Sequence, residues 1–268
     1  MLFLNVQAIA GIALALSMLM TLAWVVQQRT GNSGWVDAIW SYSIGLVGAV
    51  AALWPLGDGS SARRAIVAGL ALCWSVRLGT HIARSTVAGV DDPRYANLAR
   101  EWGPAAPRRM FMFLQSQALA SVPLPFSIFL AAHAPYPGLR LQDYAGAVIM
   151  LAAVTGEAIA DEQLRRFKRS QSGAGSVCNA GLWRWSRHPN YFFEWLGWLA
   201  YPVIALSAQY PWGWASLAAP AIMYWILVKV TGIPPLEEQM LRSRGERYRE
   251  YQARTSAFFP WPPRQAPQ

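Results

Sequence analysis

The chain has 268 residues, 54% of them apolar and only 14% charged, where a soluble domain carries about 25% charge. The charges are gathered into blocks between apolar runs of about 18 to 25 residues, and roughly 20 residues of helix cross a bilayer core. A water-soluble globular fold is therefore excluded, and the expected class is an all-α integral membrane protein of seven transmembrane helices.

The spans are predicted at about 3–27, 35–54, 63–85, 110–133, 143–164, 190–208 and 211–231, as one membrane domain over 1–268 with a tail at 232–268. No Lys or Arg precedes Arg29, and the first run is too long for a secretory signal, so it is expected to be an uncleaved first helix. With the N-terminus outside, Arg63, Arg64 and Arg140 fall outside and Arg77 lies within a span. That leaves 19 of the 23 basic residues on the cytosolic side, with the C-terminal tail. The net charge of +9 could point to nucleic acid, but this one-sided distribution points to a membrane surface instead.

The second span carries Asp37, with Trp40, Ser41 and Tyr42 within two turns. Asp37 is read either as a cap of the helix start or as a partner for Arg77 or His81. In the third span Arg77, His81 and Arg84 stand at i, i+4 and i+7, on one helix face. A charge several residues inside a span costs at least ~2.5 kcal/mol unless paired, so Arg77 is expected to serve a function. The inner loop that follows holds Arg94 and Tyr95 in VDDPRYANLAREWG, read as a short amphipathic helix.

The fifth span ends with Glu157 and Asp161, then Arg165 and Lys168 on the same face. Two readings stay open: an ion-pair ladder through Arg165, or carboxylates for sugar hydroxyls or an amide with the basic residues on phosphate. The next inner loop starts RSQSGAGSVCNAG, whose Gly and Ser suit close approach of backbone to a ligand. It runs through Arg184 to Arg187-His188-Pro189, ahead of Asn190, Tyr191 and Glu194. Pro189 fits a first helical turn, and the free N–H groups there with Arg187 alongside would attract an anion. The tail reads as a helix after Pro234-Pro235 with a turn at Gly245, and Phe258, Phe259 and Trp261 return to the membrane interface.

Cys73 lies in a span and Cys178 in an inner loop, so no disulfide is expected. Three His and two Cys show no zinc-ligand spacing, and no metal is expected. There is no GxGxxG after a strand and no P-loop. Any nucleotide must bind among the helices.

The string RHPNYFFEW, with a tail holding paired Glu, a Gly, spaced Tyr and an FFP ending, resembles two related groups of membrane enzymes. One is the steroid 5-alpha-reductase family, including its bacterial branch; the other is the isoprenylcysteine carboxyl methyltransferases. NSGWVDAIWSYSIG, RLGTHIAR and DDPRY favour the reductases. That resemblance implies an NADPH-dependent oxidoreductase moving hydride to the β-carbon of a lipophilic enone, such as a 3-oxo-Δ4 steroid, with its active site facing the cytosol of a bacterial inner membrane. The other implies an S-adenosylmethionine-dependent methyltransferase. Where the reductases use a Glu on the second span and a Tyr on the third to polarise the carbonyl, this chain offers Asp37 and His81, with Tyr42 and Tyr95 as further proton donors. The family's cofactor residues fall on Arg84, Glu157, Asp161, Asn190 and Glu194. Its Tyr-Arg pair in the second inner loop is replaced by Gly175 and Ser176, and Arg184 or Arg187 is expected to supply that charge. Arg77, Arg94, Arg165, Lys168, His188, Tyr191, Glu237 and Tyr248 complete the implied cofactor set.

Overall fold

The computed structural model describes residues 2–55, 60–89, 93–170 and 176–264. Its regular elements are all helical: α1 Leu2–Thr30, α2 Gly34–Leu53, α3 Ser61–Val87, α4 Pro93–Trp102, α5 Ala106–Ser121, α6 Pro123–Ala132, α7 Leu141–Arg169, α8 Pro189–Trp198, α9 Ala200–Ala205, α10 Ala218–Trp225, α11 Ile233–Arg244 and α12 Glu246–Arg254. Among the described residues there is no strand, only an isolated bridge between Ser186 and Ser256. Six helical stretches are long and apolar enough to cross a membrane: Leu2–Thr30, Gly34–Leu53, Ser61–Val87, Arg94–Ala132, Leu141–Arg169 and Pro211–Arg244.

The stretch expected as a continuous span at 190–208 is instead α8 followed by the six-residue α9, broken near Leu199. Pro202 supplies a reason, because it cannot donate to the preceding turn and its ring crowds the carbonyl four residues back. The expected amphipathic helix is α4, and the tail forms α11 and α12 around Gly245, whose φ is +53°. The Gly- and Ser-rich residues 171–175 and the DD of DDPRY lie outside the described residues.

The chain divides into two compact units, Met1–Ala147 with Tyr201–Ala218, and Val148–Ala200 with Ala219–Gln268. The first is built on α2 and α3. At Gly45 an added Cβ would lie 2.0 Å from the Ser75 Cβ, so only glycine allows this approach. The Ser75 hydroxyl then reaches the Ser41 carbonyl at 2.9 Å. Small residues that bring backbones together are the usual means of helix association in lipid. In its most apolar window α2 is 56% buried and α1 only 22%, which marks α1 as the lipid-facing helix of the pair.

Arg63, expected on the outer side at the start of the third span, is completely buried beside Asp143. Its Nε donates to Asp143 Oδ1 at 2.7 Å and Nη2 to Oδ2 at 3.0 Å. The other N–H groups reach the carbonyls of Ala134, Tyr136 and Gly138, so all five donors are used. One guanidinium thereby fixes the α6–α7 connection to the start of α3. Burial of this ion pair is tolerable only because every donor is matched. Arg63→Met should lower stability by about 3–5 kcal/mol by stranding the Asp143 carboxylate; thermal unfolding of the detergent-solubilised protein measures this, and an unchanged midpoint contradicts it.

Candidate functional site

In the second unit, the entry to α8 is held from two sides. On one side is α7: the Leu182 amide donates to Gln163 Oε1 at 2.9 Å, and the Trp183 indole to the Ala160 carbonyl at 2.9 Å. On the other is the tail. The Arg187 amide donates to the Ser256 carbonyl at 2.8 Å and the Trp261 amide to the Trp185 carbonyl at 2.9 Å. The Ser186 hydroxyl donates to the Phe258 carbonyl at 2.9 Å and accepts from the His188 amide at 3.1 Å. Phe258 itself is buried against Phe192, Trp195 and Tyr224.

Glu237 of α11 is the hub of this clasp. Its Oε1 accepts from Arg187 Nε at 2.7 Å and lies 3.2 Å from His188 Nε2. Its Oε2 accepts from Gln252 Nε2 at 2.8 Å. Arg187 Nη1 also donates to the carbonyls of Gln252 and Thr255. The guanidinium expected to hold an anion is engaged with the tail. Burial pushes the Tyr248 phenol well above its ordinary value, and the Glu237 charge beside it acts in the same direction. Burial likewise raises Tyr251, whose hydroxyl donates to the Trp183 carbonyl.

Beyond this anchor lies the polar face between α7 and α8. An added Cβ at Gly156 would meet the Phe193 ring at 2.4 Å, so glycine sets how closely the two helices approach. Asn190 Nδ2 then donates to Asp161 Oδ1 at 3.4 Å. Glu157 is buried one turn earlier on α7. Glu194 is also buried and accepts from the Trp198 indole at 2.9 Å. Tyr191 stacks on His188, with ring centroids 5.6 Å apart. Arg165 turns to Glu162 at 2.7 Å, so the ladder expected on this face is not built through Arg165. Lys168 and Arg184 are exposed.

The first unit holds a separate cluster. Tyr95, 3% exposed, donates from Oη to Asp37 Oδ1 at 2.8 Å. Arg94 pairs with the other carboxylate oxygen, and Gln117 Nε2 donates to Tyr95 Oη at 3.3 Å. So two residues that meet Asp37 come from α4. Tyr42 shares a hydrogen bond of 2.9 Å with Thr80. Arg77 is half-buried, whereas His81 and Arg84 are exposed on α3. Sequence reasoning missed Gln117 and Gln252. Gln117 carried a readable signal, as a polar residue inside the apolar run FMFLQSQALAS. Gln252 carried none, since the tail is polar throughout.

Residues 23–255 match a family model described as "Protein of unknown function (DUF1295)". The chain belongs to this family. An uncharacterized protein of Schizosaccharomyces pombe is 39% identical over 98 residues, which is 35% of this chain and 27% of that protein. The alignment thus spans little more than a quarter of the relative. No solved structure matches. In this DUF1295 chain both polar clusters lie within the matched residues, while Ser256, Phe258 and Trp261 of the clasp lie beyond them.

Two outcomes test the clasp. Glu237→Gln should cost about 2–3 kcal/mol and open the tail to trypsin at Arg254, because Arg187 loses its counter-ion; limited proteolysis of the folded protein reads this, and unchanged resistance contradicts it. The second concerns pH. A phenol whose folded pKa is raised contributes fully below its unfolded value of 10.0, and that contribution is lost as pH rises from there. Tail protection should therefore fall above about pH 10. The fall should be smaller in Tyr248→Phe, with hydrogen exchange as the measurement.

Proposed function

We propose that the chain is an NADPH-dependent membrane reductase that adds hydride to the β-carbon of a lipophilic enone, of which a 3-oxo-Δ4 steroid is the type. The observation that carries this reading is the pairing of Asn190 with Asp161 on adjacent helices, in a chain whose family is associated with steroid 5-alpha-reductase-like proteins. Side by side, one amide and one carboxylate offer a donor and an acceptor. That donor set fits the carboxamide and ribose hydroxyls of a dinucleotide. Bound NADPH supplies the hydride.

The chain's own residues have separable tasks. Asn190 and Asp161 bind, and buried Glu157 and Glu194 hold the polar face between α7 and α8. Arg165 and Lys168, at the end of α7, offer charge to phosphate. Arg187 and His188 fix the start of α8 through Glu237 and so set where Asn190 stands. In the first unit the Tyr95 phenol, donating to Asp37 Oδ1, is a donor of the kind an enone oxygen needs as negative charge develops on it. Arg94 pairs with Asp37, and Gln117 orients the phenol oxygen.

The same reading takes the broken helical stretch 189–205 as a further crossing. This makes seven, with the N-terminus outside and the Arg-rich loops and tail in the cytosol of a bacterial inner membrane. A lipophilic substrate would enter sideways from the bilayer.

Equilibrium binding of radiolabelled NADPH to the purified full chain tests the proposal, with labelled S-adenosylmethionine in parallel. NADPH should bind, and Asn190→Ala or Asp161→Ala should weaken it about 10- to 100-fold, the range for hydrogen bonds to charged groups. Progesterone or testosterone should be turned over with NADPH, and Tyr95→Phe should slow that turnover while sparing NADPH affinity. Binding of the sulfonium compound without NADPH would overturn the reading in favour of a methyltransferase.

A further inference from the structure

The tail that clasps α8 also forms a basic basin which the proposed reduction does not use. It is a cavity of about 740 Å³ whose lining includes Arg184, Arg247, Arg254 and Arg264, with Glu250 as the one acid. A neighbouring cavity of about 540 Å³ shares Arg254 and Arg264 and is walled by Trp261. The Arg264 amide donates to the Arg254 carbonyl at 2.8 Å, so the two arginines are held next to one another by backbone. Among the described residues, Arg184, Arg254 and Arg264 have no carboxylate partner.

Guanidinium groups that line one basin without carboxylate partners repel, and a bound anion relieves that repulsion. The aromatic residues indicate where the anion comes from. Phe259 and Trp261 are 48% and 69% exposed, and Trp185, bonded to Trp261 through backbone, is 45% exposed. Exposed Trp and Phe on a chain pinned to membrane helices by Phe258 are the signature of the headgroup level of a bilayer. Guanidinium groups at that depth meet lipid phosphates, with which they pair in bidentate fashion. We infer that this basin is a headgroup site for an anionic phospholipid, with the phosphate between Arg254 and Arg264 and Trp261 against the glycerol region. The site is independent of the proposed reduction.

Native mass spectrometry of the full-length chain, released from neutral detergent, is the test. Phosphatidylglycerol should bind more tightly than phosphatidylcholine with the same acyl chains. Arg254→Gln with Arg264→Gln should weaken phosphatidylglycerol by about five-fold for each guanidinium removed and leave phosphatidylcholine unchanged. If the double variant unfolds at a lower temperature than wild type, Arg184→Gln, an exposed position, carries the same expectation of about five-fold. Equal binding of the two lipids, or variants that bind like wild type, would overturn the inference. So would displacement of the bound lipid by millimolar inorganic phosphate or NADPH, which would assign the basin to a soluble anion.

Discussion

A single carboxylate holds the entry to α8 to the C-terminal tail. Glu237 receives Arg187, His188 and Gln252, drawn from the entry to α8 and from the tail, and it is only 15% exposed. A carboxylate so placed is costly unless its lone pairs are met, and here three donors meet them. The consequence is positional. With the backbone of Arg187 pinned to Ser256 and its side chain to Glu237, Pro189 starts the helix at a defined point and Asn190 comes to Asp161. The tail is therefore structural support for the candidate site, although it is far from it in sequence.

The first unit uses the same device at Arg63 and Asp143, with all five guanidinium donors spent on one buried pair and three carbonyls. In both places the charge is rigidly held and so poorly suited to exchange with a ligand. The groups better suited to act are those with looser or partly exposed partners. Tyr95 on Asp37 is one such pair and Asn190 on Asp161 another. This distinction separates anchors from candidate contacts more sharply than charge alone, and it moves Arg187 into the first class.

Much of the fold was legible because hydropathy in a membrane protein reports directly on helices. Six of the seven predicted spans fall on helical stretches of membrane-crossing length, and α4, α11 and α12 followed from Pro, Gly and amphipathic spacing. The break near Leu199 was not legible from hydropathy, since the apolar run continues through it; Pro202 was the available sign. The site was legible as residue types but not as partnerships. Asp37 takes partners 57 and 58 residues away, and Arg187 takes one 50 residues away. No local pattern encodes such pairs. The reading of Asp37 as a cap or a partner of Arg77 or His81 did not foresee Arg94 and Tyr95.

We propose that the polar face at the start of α8 binds a dinucleotide without any soluble nucleotide-binding fold. The most direct measurement is a structure of the purified chain saturated with NADPH by electron cryomicroscopy. Density for the dinucleotide in contact with Asn190 and Asp161, with Arg187 still on Glu237, is the result expected. A dinucleotide seated away from Asn190 and Asp161, or no bound dinucleotide at saturation, would contradict the account.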